Sequence, residues 1–340
     1  MTSDAASLKF RTHDLITRGR ATSGWLTNYV LVMAVLVPAF ALAGVIDPRT
    51  LAGESVWAKP FKFAVSTVLY GTSLLWMMGL VTSRRRWAGR VASATAGIFT
   101  LEMVLIVLQA ARGVHSHFNA STVFDFTVFM TMGAAIGLQT LMATAGLVLL
   151  LRSRISDRAM GIAARAGLAV AILGASMGGL MSKPTSDQLA RAKETGVMKI
   201  SGAHSVGTPD GGPGLPVVGW NREAGDLRPA HALGLHAAQA LPLSAFFLFR
   251  RRRSRGSMLS DAKQARLVLI GSGGYAGLTV LLAWQALRGE ALLAPSLTVV
   301  GVAVALCVTA VVAAWAVARA GRDEGTKDSM RPARAAAGIG

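Results

Sequence analysis

The sequence predicts an all-α integral membrane protein: about eight transmembrane helices in one bundle, with an ordered extracytoplasmic loop between helices 5 and 6. Three observations predict it. Of the 340 residues, 52% are hydrophobic and only 15% are charged, whereas soluble domains carry about 25% charged residues. The mean hydropathy is +0.48. Long apolar runs recur at the length of about 20 residues that a spanning helix needs. A soluble enzyme, a disordered chain and a disulfide-built secreted domain are excluded. The single cysteine, Cys307, forbids an intramolecular disulfide and a thiolate metal cluster.

Eight windows qualify as spans: 25–46, 62–82, 91–111, 122–151, 162–181, 231–249, 267–287 and 296–318. The first lacks a short apolar core ending in a small-residue cleavage site, so it reads as a retained helix rather than a signal peptide. Pro38 lies inside it and Pro242 inside the sixth; both are expected to kink their helices. The second helix begins Lys59-Pro60-Phe61-Lys62-Phe63, with Pro suited to a first helical turn. The fourth is long enough to tilt or to extend past the interface. The sixth is short and opens within a polar segment. Residues 1–24 precede the 25–318 membrane domain. The Ala/Gly/Arg-rich tail, 319–340, reads as disordered. The small-residue pairs Gly133/Gly137, Gly174/Gly178 and Gly273/Gly277 allow close helix packing, and the 14 Met read as core filler.

Charge placement sets the orientation. With the N-terminus inside, the inner segments hold Lys9, Arg11, Arg18 and Arg20; Arg84 to Arg86 and Arg90; and Arg152, Arg154, Arg158 and Arg165. They also hold Arg250 to Arg253, Arg255, Lys263, Arg266 and the tail cations, so 24 of the 35 Lys and Arg are inside. Acids divide 7 inside to 10 outside, which leaves the inner side near +17 and the outer side near +1. The net charge of +18 is therefore a topology signal for a multi-pass plasma-membrane protein with both termini cytoplasmic. Nucleic-acid binding would need a basic folded domain, and no inner loop is long enough for one.

Polar residues gather on the outer side. Glu102 sits inside the third helix, about 14 Å from its outer end at about 1.5 Å per residue. Gln109 and Arg112 share its face and lead out to His115, Ser116, His117, Phe118 and Asn119. Asp125 opens the fourth helix, and Gln139 within it reads as an interhelical hydrogen-bonding residue. An intramembrane carboxyl is costly, so Glu102 reads as functional. Lys59 and Lys62 stand at the outer interface against the positive-inside bias; they can snorkel to headgroups or hold an anion such as a carboxylate, phosphate or haem propionate.

The one long loop, 182–230, forms the cap. Thr185-Ser186-Asp187-Gln188 reads as a helix start and Gly196 as its stop, giving a short surface helix over 186–195. Beyond it the Pro/Gly-rich run from His204 through Asp210 to Pro216 forces turns. Leu215, Val217, Val218 and Trp220 argue for an ordered cap over the bundle mouth. Neither G-x-G-x-x-G nor G-x-x-x-x-G-K-[ST] is present, so this is no nucleotide loop. The loop ends at Asp226 and Arg228, and His231, His236 and Gln239 follow. Five of the six His (His115, His117, His204, His231, His236) lie on the outer side. His231 and His236 are five apart, not the four of a zinc helix.

Lys59-Pro60-x-Lys62-Phe63, Ala111-Arg112-Gly113-x-x-Ser116-His117-Phe118-Asn119, Asp210-Gly211-Gly212-Pro213-Gly214-Leu215-Pro216 and Gly225-Asp226-Leu227-Arg228-x-Ala230-His231 form a distinctive set. The chain resembles, over about 55–245, an uncharacterised family of bacterial polytopic membrane proteins with no established activity. The resemblance implies the architecture and the choice of residues. Intramembrane hydrolases of the ceramidase-like and adiponectin-receptor-like group use a final H-x-x-x-H; His231-x-x-x-x-His236 departs from it.

Three functions fit this pattern. In a metal-dependent enzyme, His115, His117, His231 and either His236 or Asp125 bind Zn²⁺ or iron. Glu102 or Asp226 then acts as base or orients a ligand, and Arg112 and Arg228 hold an anionic group of an apolar or lipid-like substrate. Asn119 and Asp210 complete the polar lining. In a haem protein, one His from the third helix and one from the sixth are axial ligands, and Lys59, Lys62 and Arg112 pair with propionates. In a metal-free transporter or receptor, Glu102, Gln109, Gln139 and Arg112 line a small-molecule pocket. Membrane lipids are the expected surroundings, and oligomeric state stays open.

Overall fold

The computed structural model describes residues 14–51, 53–216, 218–253 and 259–319. The predicted disordered tail beyond 319 and the first 13 residues lie outside the described residues. The chain is almost wholly helical. In order, the elements are α1 (Gly24–Ile46), a hairpin of β1 (Thr50–Leu51) and β2 (Glu54–Ser55), α2 (Ala58–Gly79), α3 (Arg85–Ala111), α4 (Val123–Leu151) and α5 (Arg158–Met181). There follow α6 (Ser186–Thr195), β3 (Ser205–Val206), β4 (Gly225–Asp226), α7 (Arg228–Arg253), α8 (Asp261–Leu287) and α9 (Leu297–Arg319).

Local chemistry starts the helices. The side chains of Ser23, Thr122, Asp157 and Ser260 each accept from a backbone N–H in the first turn, satisfying a donor that the helix leaves open. The expected surface helix is present as α6. Thr185 and Gln188 form a reciprocal capping box and Gly196 closes the helix at φ 72°.

Seven helices (α1, α3, α4, α5, α7, α8 and α9) are long and apolar enough to cross a membrane. The chain is a multi-pass membrane protein. Its outward side chains agree: Val304, Val308, Val311, Val312 and Trp315 of α9 are all more than half exposed, an apolar surface that water would not tolerate. Of the eight expected spans, α2 alone falls short of that measure among the described residues. Lys62, Ser66, Thr67, Tyr70, Gly71, Thr72 and Ser73 dilute its apolar content. It nonetheless runs the length of the bundle. Ser23 Oγ meets Ser93 Oγ at 2.9 Å, and Arg49 Nη1 donates to the Ala111 carbonyl at 2.9 Å. The ends of α1 and α3 therefore lie together, and α2 has to return between them.

α1 to α4 pack in sequence, while α5, α7 and α8 form a second group, with α9 against α8. The tightest seam joins α5 to α7. A Cβ on Gly174 would strike the backbone of Gly234, and one on Gly167 would strike the Ala237 carbonyl; only glycine lets the two backbones approach so closely. Gly178 lies farther from its neighbours, whereas Gly133, Gly137 and Gly273 have open space beside them. A core of Leu26, Leu74, Met77, Met78, Leu150 and Leu168 fills the end of the bundle away from the cap.

The cap is ordered. Gln188 exchanges hydrogen bonds with Gly202 in both directions. Ala120 N–H donates to Lys199 O, Ser201 N–H to Phe118 O and Ala203 N–H to Met181 O. Gly202 sits at φ 115°, with the Phe118 ring and the Met181 carbonyl where a Cβ would go. β3 and β4 pair antiparallel, Ser205 opposite Asp226.

Candidate functional site

Two carboxylates hold the cap together. Asp226 is 3% exposed. It accepts from the backbone N–H groups of Asn221 and Arg228 and from the Arg228 guanidinium, down to 2.6 Å. Arg228 also donates to Gly219 O at 2.7 Å. The expected base Asp226 and the expected anion-holder Arg228 thus spend their groups on each other. Asp210 accepts from the backbone and Nδ1 of His204 and from Ser205 N–H. Burial pushes the Asp210 carboxyl up, but these His204 and Ser205 bonds outweigh it and hold it well below the usual range. Asn119 caps Ser121 N–H and reaches His115 O.

A second knot closes the junction of α3 and α4. Asp125 accepts from Gln109 Nε2 at 2.9 Å, from Arg112 Nη1 at 2.5 Å and from Thr122 Oγ1 at 2.7 Å. Arg112 also bonds Gln109 Oε1 and lies over the Phe124 ring, 4.7 Å from its centroid. Gln109 and Arg112 do share a face, but their partner is Asp125.

The interior side of this region is different. Lys59 Nζ donates to His117 Nδ1 at 2.8 Å, and Ser116 Oγ stands 3.2 Å from the same nitrogen. An acceptor Nδ1 makes His117 the neutral, Nε2-protonated tautomer. Burial first, then the Lys59 charge, holds the His117 imidazole well below its ordinary value. The same two causes lower His115. Lys59 keeps accessible surface although dense protein surrounds it. His115, His204 and His231 lie within electrostatic range of one another or of His117. His236 joins them through His231, so all five outer His are linked by electrostatic range. The backbone beside His117 is unusual: Phe118 has φ 62°, the only non-glycine positive φ among the described residues.

Below Lys59 lies Glu102. It is 0% exposed and neither carboxyl oxygen has a hydrogen-bond partner. It interacts electrostatically with Lys59 and Tyr29 without pairing. Tyr29 was not singled out in the sequence, nor were Tyr70 and Thr95. The Tyr29 hydroxyl donates to Thr67 Oγ1 at 3.1 Å. Gln139 Nε2 donates to Tyr70 OH at 3.4 Å, an interhelical bond as expected, while Gln139 Oε1 is left bare. Thr95 Oγ1 is bare too. The available signal was spacing: Thr95, Glu102 and Gln109 recur every seven residues and so share one helix face.

The side chains expected as metal ligands find other partners. Among the described residues, no three His, Cys, Asp or Glu side chains are grouped to hold a metal ion. Asp125 is consumed by Arg112, and the Lys59 ammonium sits on His117. His231 Nδ1 donates to Gly174 O at 2.8 Å, while His236 Nδ1 donates to Gln239 Oε1 at 3.2 Å. Lys62 pairs with the Glu54 carboxylate at 2.8 Å on the surface.

Fold and site together define a multi-pass helical membrane protein with polar side chains gathered at one end of its bundle. No protein-family model, no curated protein and no solved structure matches the chain.

Proposed function

We propose that this is an eight-crossing bacterial plasma-membrane protein, both termini cytoplasmic, that binds a small polar molecule in the recess beneath its extracytoplasmic cap. It is of the transporter or receptor type. The reading requires no zinc, iron or haem. One observation carries it: a fully buried carboxyl, Glu102, with both oxygens unpartnered. Buried polar groups are nearly always satisfied. A buried carboxyl with no partner, within electrostatic range of an ammonium, supports a site for a polar molecule. The complementary ligand carries N–H or O–H donors for Glu102 and an oxygen acceptor for Lys59. Amino acids, hydroxy acids and polyols have this pattern.

Orientation rests on the basic residues. Arg84 to Arg86, Arg152 and Arg154 lie at the end opposite the cap, where the positive-inside bias places the cytoplasm. α2, antiparallel to α1 and α3, supplies the eighth crossing.

The test is native mass spectrometry of the detergent-purified chain against a panel of amino acids, hydroxy acids and polyols. Retention of one class by the wild type, lost in Glu102→Gln and Lys59→Gln, is expected. Retention unchanged in both variants, or of no panel member, would overturn the reading.

A further inference from the structure

Five buried side-chain atoms among the described residues lack a hydrogen-bond partner: Thr95 Oγ1, Glu102 Oε1 and Oε2, Gln139 Oε1 and Ser272 Oγ. All but the last lie on α3 or α4. They also fall in order along the bundle. Asp125 on α4 meets Gln109 and Arg112 on α3, which fixes the alignment of these antiparallel helices. Counting inward from that knot, Glu102 lies seven residues below Gln109. Thr95 lies seven further, level with Gln139, which is fourteen beyond Asp125. Each seven-residue step is about 10 Å. Tyr70, bonded to Gln139, adds a hydroxyl at the lower level, and Tyr29 and Thr67 add two between.

Orphaned polar atoms inside proteins are normally satisfied by ordered water where the site is polar enough to give each water several partners. A column of such atoms, spaced down one helix face from an accessible lysine, has that character. The column does not continue to the far side. Leu26, Leu74, Met77 and Met78, each at most 2% exposed, close the end away from the cap.

We propose that these buried polar atoms are hydrated and that Glu102 binds and releases a proton through water on its Lys59 side, from the capped side only. Thr95 and Gln139, on the far side of Glu102, hold water that solvates the carboxyl and lies off the proton's route. The step is a simple exchange. A proton from water at the Lys59 end passes to a Glu102 carboxylate oxygen. One O–H bond forms there, and the reverse step returns the proton to the same bulk solvent. The titratable groups facing Glu102 are Tyr29 from α1 and Lys59 from α2, with His117 behind Lys59. The buried polar residues one seven-residue step away on α3, Thr95 and Gln109, are neutral. This site stands independently of any organic ligand, and it would make binding beneath the cap proton-linked.

Infrared difference spectroscopy of the full-length protein tests it, with a pH step across the range in which carboxyl and ammonium groups titrate. The wild type is expected to give a buried carboxyl C=O signal that shifts in D₂O. That signal should be absent in Glu102→Gln and should return displaced in Glu102→Asp. An identical signal in wild type and Glu102→Gln overturns the proposal. So does a wild-type carboxyl band that fails to shift in D₂O, a readout that holds even if the variants do not fold. Thr95→Val gives a second reading: removing a truly dry orphan raises the melting temperature, whereas a water-filled column leaves it unchanged or lower.

Discussion

Lys59 and His117 are joined by a 2.8 Å hydrogen bond between side chains 58 residues apart. This bond ties the start of α2 to the loop between α3 and α4. It also fixes the His117 tautomer and places a cation on the capped side of Glu102.

Stability should therefore fall on acidification. Burial and then the Lys59 charge hold His117 below the ordinary imidazole value of 6.5, and His115 is lowered likewise. Below that value the unfolded chain takes up protons that the folded chain refuses. The unfolded state binds more protons, so stability rises with pH across this window. The contribution is present above about 6.5 and is lost as pH falls toward the folded values. Thermal melts of detergent-solubilised protein at a series of pH values check this. His117→Gln should flatten the profile, and an equally steep profile in that variant would contradict the assignment.

Breaking the Asp226–Arg228 joint should loosen the cap without touching the recess. Asp226→Ala removes charge-assisted bonds to Arg228 and leaves Asn221 N–H unpaired. The expected cost is about 1.5–3 kcal/mol, the range for hydrogen bonds to charged groups. Limited proteolysis should then cut within 207–224 faster than in the wild type. Wild-type cleavage rates in the variant would argue that β3, β4 and the Gln188–Gly202 bonds hold the cap unaided.

Much of the fold was legible because hydropathy runs and caps are local signals. The α6 helix is the clearest case: Thr185, Gln188 and Gly196 each announce themselves within a dozen residues. The start of α2 was legible in the same way: Lys59-Pro60 reads as a first helical turn, and the helix begins at Ala58 with Pro60 in that turn. The site was legible as an inventory and not as a set of pairs. Arg112, Asp125, Asp226 and Arg228 looked available for chemistry because their partners depend on how distant segments dock. Glu102 was found from cost alone, since a carboxyl inside an apolar helix needs a reason.

Glycine substitutions should separate packed seams from open ones. Gly234→Ala puts a methyl against the Gly174 backbone, which overpacks the α5–α7 seam at a typical cost of about 1–3 kcal/mol. It should also disturb the His231–Gly174 bond. Gly133→Ala meets nothing within 4 Å and should be neutral or stabilise by up to about 1 kcal/mol through helix propensity. Melting temperatures of the two variants, measured in one detergent, decide this. Equal losses would mean that the face bearing Gly133 is covered in the native assembly.

Chelation should leave the protein intact. Asp125 is held by Arg112 and His117 by Lys59, so the expected ligands are engaged elsewhere. Elemental analysis of untagged protein should find zinc and iron well below one per chain, and EDTA should not move the melting temperature. A stoichiometric metal whose removal lowers stability would return the His side chains to the role of ligands.

Topology gives the sharpest check on the membrane reading, because the cap and the arginine clusters lie at opposite ends of the same helices. Cys307 is the chain's single cysteine and is exposed on α9, so Cys307→Ser supplies a clean background. Lys193→Cys, on the exposed side of α6, should react with a membrane-impermeant maleimide in intact cells with the outer envelope opened. Arg154→Cys, exposed between α4 and α5, should react only after the inner membrane is permeabilised. This pattern requires an odd number of crossings between 154 and 193, which α5 provides. The opposite pattern would put the cap in the cytoplasm and the Lys59–Glu102 recess on the inner face, so that any ligand or proton would arrive from inside.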